Sequence, residues 1–305
     1  MILLWGMPDE APLAAVAGAL RQLGVQFFLL DQNRTEQTRL ELAFGRSAAG
    51  KIRCDGDTIE LASIRAAYLR PYPPAQVTAL AWHRPDSAAW QHACQIIEAL
   101  WTWAELTEAL VVNRPFAMAS NNSKPFQAAL IQAAGFATPA TVVTNRISAV
   151  RQFRQKHGDL IYKSVSSQRS IVAQLGSNHS DRWRDLRWCP TQFQRLIPGM
   201  DIRVHVVGDE CFSCAIESDA VDYRYAEASR RIRPYTLPAD CARRCRELTR
   251  ALGLFMAGLD LRQAPDGEWH CFEANPSPGF TFFDPDGEQG IALALAKALM
   301  NRQAV

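Results

Sequence analysis

The sequence predicts an α/β chain that becomes α+β toward its C-terminus, and three observations carry this. Strand and helix patterns alternate over residues 1–115, a shorter alternation occupies 116–195, and 196–305 is dominated by long strands joined by hairpin turns. These three stretches are the expected domains. In the first, Ile2–Trp5 reads as a strand and Leu13–Leu23 as a helix, with Pro12 near its start and Gly24 as its stop. Gln26–Leu30 is a second strand. Lys51–Leu61 is a hairpin around Asp55-Gly56-Asp57, and Ala66–Arg70 is a strand ended by Pro71 and the Pro73-Pro74 pair. Ser87–Leu110 carries Trp90, Ile97, Leu100, Trp101 and Leu106 at helical spacing, and Val111–Asn113 closes a parallel, doubly wound sheet.

The second stretch opens with a helix over Ser123–Ala134, bracketed by a Ser or Asn cap, Pro125 and Gly135. Thr141–Val143, the helix Ile147–His157 and the strand Leu160–Lys163 follow. In the third, Ile202–Val207 and Cys211–Glu217 flank Gly208-Asp209, a two-residue hairpin signal. The helix Asp240–Leu252, a hairpin over Phe255–Ala274 and the helix Ile291–Met300 complete the chain.

Composition narrows the function classes. A net charge of +2 over 305 residues supplies no basic block for a nucleic acid. No apolar run reaches the ~18 residues of a membrane span, and Met1–Gly6 lacks the basic lead of a signal peptide, which points to the cytoplasm. Cys211 and Cys214 have zinc-like spacing, but three residues apart on a strand they face opposite ways. Cys241 and Cys245 share a helical face with Leu248 and Leu252, so all four read as small core residues. Arg230, Arg231 and Arg233, with Arg224 just before, read either as a solvated loop or as a contact for phosphates or an acidic substrate.

The last hairpin carries the chemistry. Its turn is Pro265-Asp266-Gly267-Glu268, and if Ala264 pairs with Trp269 then Asp260 lies opposite Glu273, with Asn275 on the same face. Two carboxylates and an amide oxygen on one sheet face make a hard-oxygen site for Mg²⁺ with polyphosphate. The competing reading, acids solvating an outer face, is opposed by Leu259, Leu261 and Phe272 around them.

Gly258-Leu-Asp-Leu-Arg262 followed by Phe272-Glu-Ala-Asn-Pro-Ser-Pro-Gly279 resembles the metal-binding end of an ATP-grasp ligase. It is most similar to RimK-like glutamate ligases and the macrocyclases of microviridin-type peptides (graspetides). Ile197–Gly208, Asn121–Thr144, Ala67–Tyr72 and Val112–Pro115 continue the resemblance in order over nearly the whole chain.

The resemblance implies an ATP-grasp fold behind a Rossmann-like pre-ATP-grasp domain, with residues 116–195 as lid. Lys124 and Lys163 would contact ATP phosphates, and Gln194, Arg195 and Leu196 would hold adenine, largely by backbone groups. Arg195 stands where a glutamate is usual. Asp201 would take a ribose hydroxyl, and Arg224 would face the phosphates or acyl phosphate. Asp260, Glu273 and Asn275 would hold one or two Mg²⁺ ions, or Mn²⁺. Arg203, on the strand face of Asp201, would hold a substrate carboxylate; the alternative is an ion pair with Asp201.

The implied activity is carboxylate–amine or carboxylate–hydroxyl ligation through an acyl phosphate, on a peptide or amino-acid substrate, in a homodimer. The loop after Lys163, Ser164–Ser170, lacks the glycines usual over the phosphates. Phosphotransfer without ligation, and nucleotide binding without catalysis, are the alternatives. Tyr68 and Arg70 at a strand end are candidates for substrate recognition.

Overall fold

In the computed structural model, which describes residues 1–45, 48–165, 172–176, 183–218, 231–284 and 287–301, the first part contains nine strands and α-helices among the described residues. They are β1 (Ile2–Gly6), α1 (Ala11–Gln22), β2 (Phe27–Asp31), β3 (Arg39–Phe44), β4 (Ala48–Cys54), β5 (Asp57–Glu60), β6 (Ala66–Arg70), α2 (Ala88–Leu106) and β7 (Leu110–Val112). β1 is buried throughout because it lies inside a parallel sheet of order β2-β1-β6-β7. Ile2 and Leu4 pack toward α1, and Leu3 and Trp5 toward α2, which is why the strand reads as an unbroken apolar run.

Two expectations are corrected here. The hairpin near Asp55-Gly56 belongs to a three-stranded antiparallel sheet, β3-β4-β5, whose first strand was not expected. Gly50 makes that sheet possible: at φ +135° it lies so close to β3 that a Cβ would stand 1.9 Å from the Glu41 carbonyl oxygen. The second correction concerns α2, which stops at Leu106 rather than Leu110. The Arg114 guanidinium donates to the carbonyl oxygens of Ala104, Glu105, Thr107 and Ala109 at 2.5–3.2 Å, satisfying the helix end and freeing Leu110 for β7.

Next come α3 (Pro115–Met118), α4 (Lys124–Ala133), β8 (Thr141–Thr144), α5 (Ile147–His157), β9 (Leu160–Ser164), β10 (Ala173–Gln174), α6 (Trp183–Leu186) and β11 (Thr191–Arg195). The strands form an antiparallel sheet of order β10-β9-β11-β8. One face packs Leu160, Phe193 and Tyr162 with Val150 of α5 and Leu186 of α6. The other face carries Lys163, Gln192 and Gln194.

The last part holds β12 (Met200–Val207), β13 (Glu210–Glu217), β14 (Arg231–Pro234), α7 (Ala239–Ala251), β15 (Met256–Gln263), β16 (Trp269–Asn275) and α8 (Ile291–Asn301). Its antiparallel sheet has the order β14-β13-β12-β15-β16. Ile202, Val204, Val206, Leu259 and Leu261 pack on Cys241, Cys245 and Leu248 of α7. α8 returns to lie against α1 and ties the C-terminus to the first sheet.

Arg231 and Arg233 sit on β14 rather than in a loop, with Arg233 bonded to Glu217 at 2.8 Å. Arg224 and Arg230 lie outside the described residues. Cys214 packs with Ile216 and Phe283 on one sheet face, and Cys211 lies against α7 on the other. All eight cysteines are thiols, and among the described residues no helix is long and apolar enough to cross a membrane.

Candidate active site

β12 is the sheet's central strand, and its register places alternate side chains beside those of β15: Asp201 opposite Arg262, Arg203 opposite Asp260, and His205 opposite Gly258. With Ala257, Leu259 and Leu261 of β15 in the core, Asp260 and Arg262 turn to a polar face on the opposite side. Asp201 accepts both ends of the Arg262 guanidinium at 2.7 Å, a bidentate pair whose side chains are 13–14% exposed. Arg203 donates to Asp260 at 2.6 Å and is itself buried. The alternative pairing of Arg203 with Asp201 is therefore not the one formed; Arg262, which the sequence did not single out, takes that place.

The second arm of the hairpin reaches the expected geometry by an unexpected path. Trp269 pairs with Gln263, not Ala264, so the ladder begins one residue out of the expected register. A β-bulge between Asp260 and Leu261, with Phe272 as the extra residue on β16, then shifts it back. Asp260 lies opposite Glu273, and Gly258 opposite Asn275. The Glu273 carboxylate makes no hydrogen bond or ion pair among the described residues, and its backbone carbonyl accepts from Cys271 Sγ at 3.7 Å. The Asn275 side-chain oxygen accepts from the Ser277 amide at 2.9 Å.

The polar face of the β8–β11 sheet meets this hairpin across a cleft lined by Lys163, Gln194, Arg195, Leu196, Asp201, Asp260 and Glu273 among others. Lys163 and Gln194 also wall an adjoining recess that contains Lys124, the first residue of α4. Asn275 shares the face of Glu273 but does not line the cleft.

Where β11 leads into β12, the amide of Arg195 donates to Ala140 and that of Leu196 to Asp159, so two expected backbone donors are already paired. What stands open is a side chain. Gln194 donates its amide nitrogen to Thr141 at 3.0 Å, and its buried Oε1 has no hydrogen-bond partner. Such an orphaned acceptor suits an amino group on a ligand.

Around Arg203 the packing is specific. His205 Nε2 lies 3.3 Å from the Arg203 Nε–H and accepts from it, and both side chains stack near Phe283. Burial, and then the charge of Arg203, hold the His205 imidazole well below its ordinary range and therefore neutral. Gly258 gives the guanidinium its room: a Cβ there would stand 2.1 Å from Arg203 Nη2. Arg70, a candidate for substrate recognition, is instead bound to Glu10 at 2.7 Å and to the Pro278 carbonyl at 3.1 Å.

The donor set is informative about a metal. Among the described residues no three His, Cys, Asp or Glu side chains converge as a metal site. Asp260 and Glu273 offer carboxylate oxygens and Asn275 an amide oxygen with a second lone pair. Hard oxygens in that number fit Mg²⁺ or Mn²⁺ carried in with phosphate oxygens, not a bare-protein cage.

No protein-family model matches the chain. A stretch of 108 residues, 35% of the chain, is 33% identical to the glutathione synthetase of Vibrio vulnificus strain CMCP6, and covers 28% of that protein. The chain thus matches under a third of the length of that curated relative. Among solved structures, the ATP-grasp ligase PsnB, complexed with a phosphomimetic variant of its minimal precursor, Mg and ADP, superposes with a TM-score of 0.81. It is 28% identical over 99% of this chain and 98% of that one. The macrocyclase MdnC of Microcystis aeruginosa MRC, bound with the precursor peptide MdnA, gives 0.80 at 22% identity, covering 99% of each chain.

Proposed function

We propose that this chain, which has the ATP-grasp fold of those structures, is an ADP-forming ligase that activates a peptide carboxylate and joins it to an amine or hydroxyl. One observation carries the reading: a single cleft gathers Lys163, Gln194, Asp201, Asp260 and Glu273 from two sheets. The superposition on PsnB with precursor, Mg and ADP over 99% of the chain supports it.

Gln194 Oε1 would accept from the adenine amine, and Lys163 with Lys124 would hold phosphate oxygens. Asp201, beside its pair with Arg262, would accept from a ribose hydroxyl. Arg224, by the same resemblance, would contact the phosphates or acyl phosphate. Asp260, Glu273 and Asn275 would hold one or two Mg²⁺ ions, which when bound would offset charge on the transferring phosphoryl group.

A carboxylate resists an amine because its leaving group would be oxide. One carboxylate oxygen attacks the γ-phosphorus, the bond to the β–γ bridging oxygen breaks, and ADP leaves. The amine or hydroxyl then adds to the carbonyl carbon, phosphate departs, and the nucleophile loses its proton. Arg203 suits the incoming carboxylate: a cation sharing Asp260 would weaken that carboxylate's hold on the guanidinium and favour a second anion beside it. That predicts tighter peptide binding with MgADP than without, and Asp260→Asn should abolish the difference.

The test is ADP, phosphate and peptide mass measured together with ATP, Mg²⁺ and carboxylate-rich peptides. Ligation releases both products; cyclisation lowers the peptide mass by one water, and amino-acid addition raises it. ADP without free phosphate would mean phosphotransfer, and binding without turnover a non-catalytic module. A cytoplasmic homodimer belongs to the same proposal, tested by light scattering and fractionation.

A further inference from the structure

We infer that the N-terminal part of the chain supplies two positioning residues, Asn113 and Arg70, that set the place of Asn275; this rests on the reading of Asn275 as a metal ligand. Asn113 follows β7 and is 3% exposed. Its side chain makes four hydrogen bonds to the open end of the distant hairpin. Oδ1 accepts from the amides of Phe255 and Met256 at 2.8 and 3.1 Å, where β15 begins. Nδ2 donates to the Met256 carbonyl at 2.7 Å and to the Pro276 carbonyl at 2.6 Å. One amide therefore ties the start of the Asp260 strand to the residue after Asn275.

That tie matters because the ladder ends at Asn275. Pro276 and Pro278 have no amide hydrogen, so from 276 to 278 the backbone can form hydrogen bonds only through its carbonyls and the Ser277 amide. Asn113 takes the first carbonyl. Arg70 takes the Pro278 carbonyl at 3.1 Å, and the Ser277 amide turns back to Asn275 Oδ1 at 2.9 Å.

Arg70 is in turn held by Glu10, which accepts from its Nε at 2.9 Å and from the Leu13 amide at the start of α1. Burial works against the Arg70 charge, but Tyr68 and Glu10 outweigh it and keep the guanidinium charged. Two carbonyls and the Ser277 amide of the turn after Asn275 thus meet partners held by the N-terminal part or by Asn275 itself. A ligand oxygen displaced by about 1 Å loses its place in an octahedral Mg²⁺ shell, which demands near-ideal geometry.

The experiment is calorimetric titration of the full chain with ADP, with Mn²⁺ and with chelator, read as the ratio of the two affinities. Asn275→Ala should remove most of the metal-dependent gain. Asn113→Ala and Arg70→Met should each reduce that gain about tenfold while leaving ADP binding in chelator unchanged. Arg70→Lys, which keeps a donor, should restore part of it. If Asn275→Ala leaves the gain intact, the metal-site reading itself fails. If Asn275→Ala removes it while folded Asn113→Ala and Arg70→Met retain the full gain, the positioning role is overturned. Should Asn113→Ala not fold, the Arg70→Met and Arg70→Lys pair decides alone.

Discussion

Gly258→Ala is the sharpest perturbation of the polar face, because the added carbon has nowhere to go. It would meet Arg203 Nη2 at 2.1 Å, Arg203 Cζ at 2.8 Å and Pro278 Cβ at 2.7 Å. Ordinary contact needs about 3.5 Å, so the guanidinium must move by more than about 1 Å. The Arg203–Asp260 hydrogen bond is 2.6 Å long and would pass out of range.

The pair has side chains only 6% and 25% exposed, so solvent does little to replace the lost bond. Its loss costs roughly 1.5–3 kcal/mol and overpacking about 1–3, for an expected total of about 2.5–6 kcal/mol. Urea denaturation of the wild type, Gly258→Ala, Arg203→Ala and the double variant measures it as a cycle. In the Arg203→Ala background the glycine substitution should cost only about 1 kcal/mol, the share left by Pro278. Equal costs in both backgrounds, or a single variant within about 0.5 kcal/mol of wild type, would refute the reasoning.

Three further outcomes follow from the same geometry. His205 is held neutral in the fold while an unfolded histidine protonates near 6.5, so the unfolded state binds more protons below that pH and stability falls as pH falls. Between pH 7.5 and 5.5 the loss should be about 1.3 kcal/mol, and thermal or urea melts of His205→Gln should show a flatter dependence; equal slopes count against it. Gln194→Met removes the unpartnered Oε1 and should weaken ADP binding about tenfold by calorimetry without lowering stability, which an unchanged affinity would contradict. Glu273→Gln should reduce ADP and phosphate release by about two orders of magnitude with the melting temperature preserved, and full turnover would exclude Glu273 from the phosphoryl site.

The first sheet was legible because its strands are buried on both faces and therefore read as apolar runs. β3 was missed although Arg39-Leu40-Glu41-Leu42 alternates with period two, itself a strand signal. The polar face was only half legible. Asp260 and Glu273 are joined by a short turn, and counting residues across a turn is a local operation. The Asp201–Arg262 pair spans 61 residues and needs the β12–β15 pairing, while Asn113 reaches 163 residues ahead to Pro276. No local pattern encodes such partners, because they exist only once distant strands share a sheet.

The bulge shows how a right geometry can follow from a wrong register. In a regular ladder starting at Gln263 and Trp269, Asp260 would face Phe272, and Glu273 would turn into the core. Trp269, Cys271 and Ala274 are the buried apolar residues of β16, and the step from 271 to 274 is three, not two. Alternation therefore breaks between Cys271 and Ala274, and one extra residue in the strand is the only way both can face α7. The same extra residue moves the odd-numbered Glu273 and Asn275 onto the face of the even-numbered Asp260. Core burial and site assembly thus demand the same irregularity, and a hairpin relaxing to the regular register would lose Ala274 from the core and Glu273 from the cleft together. The parity break in Trp-His-Cys-Phe-Glu-Ala-Asn was the one sequence signal that could have located the bulge, and it turns the approach of the two carboxylates from a coincidence of counting into a consequence of packing.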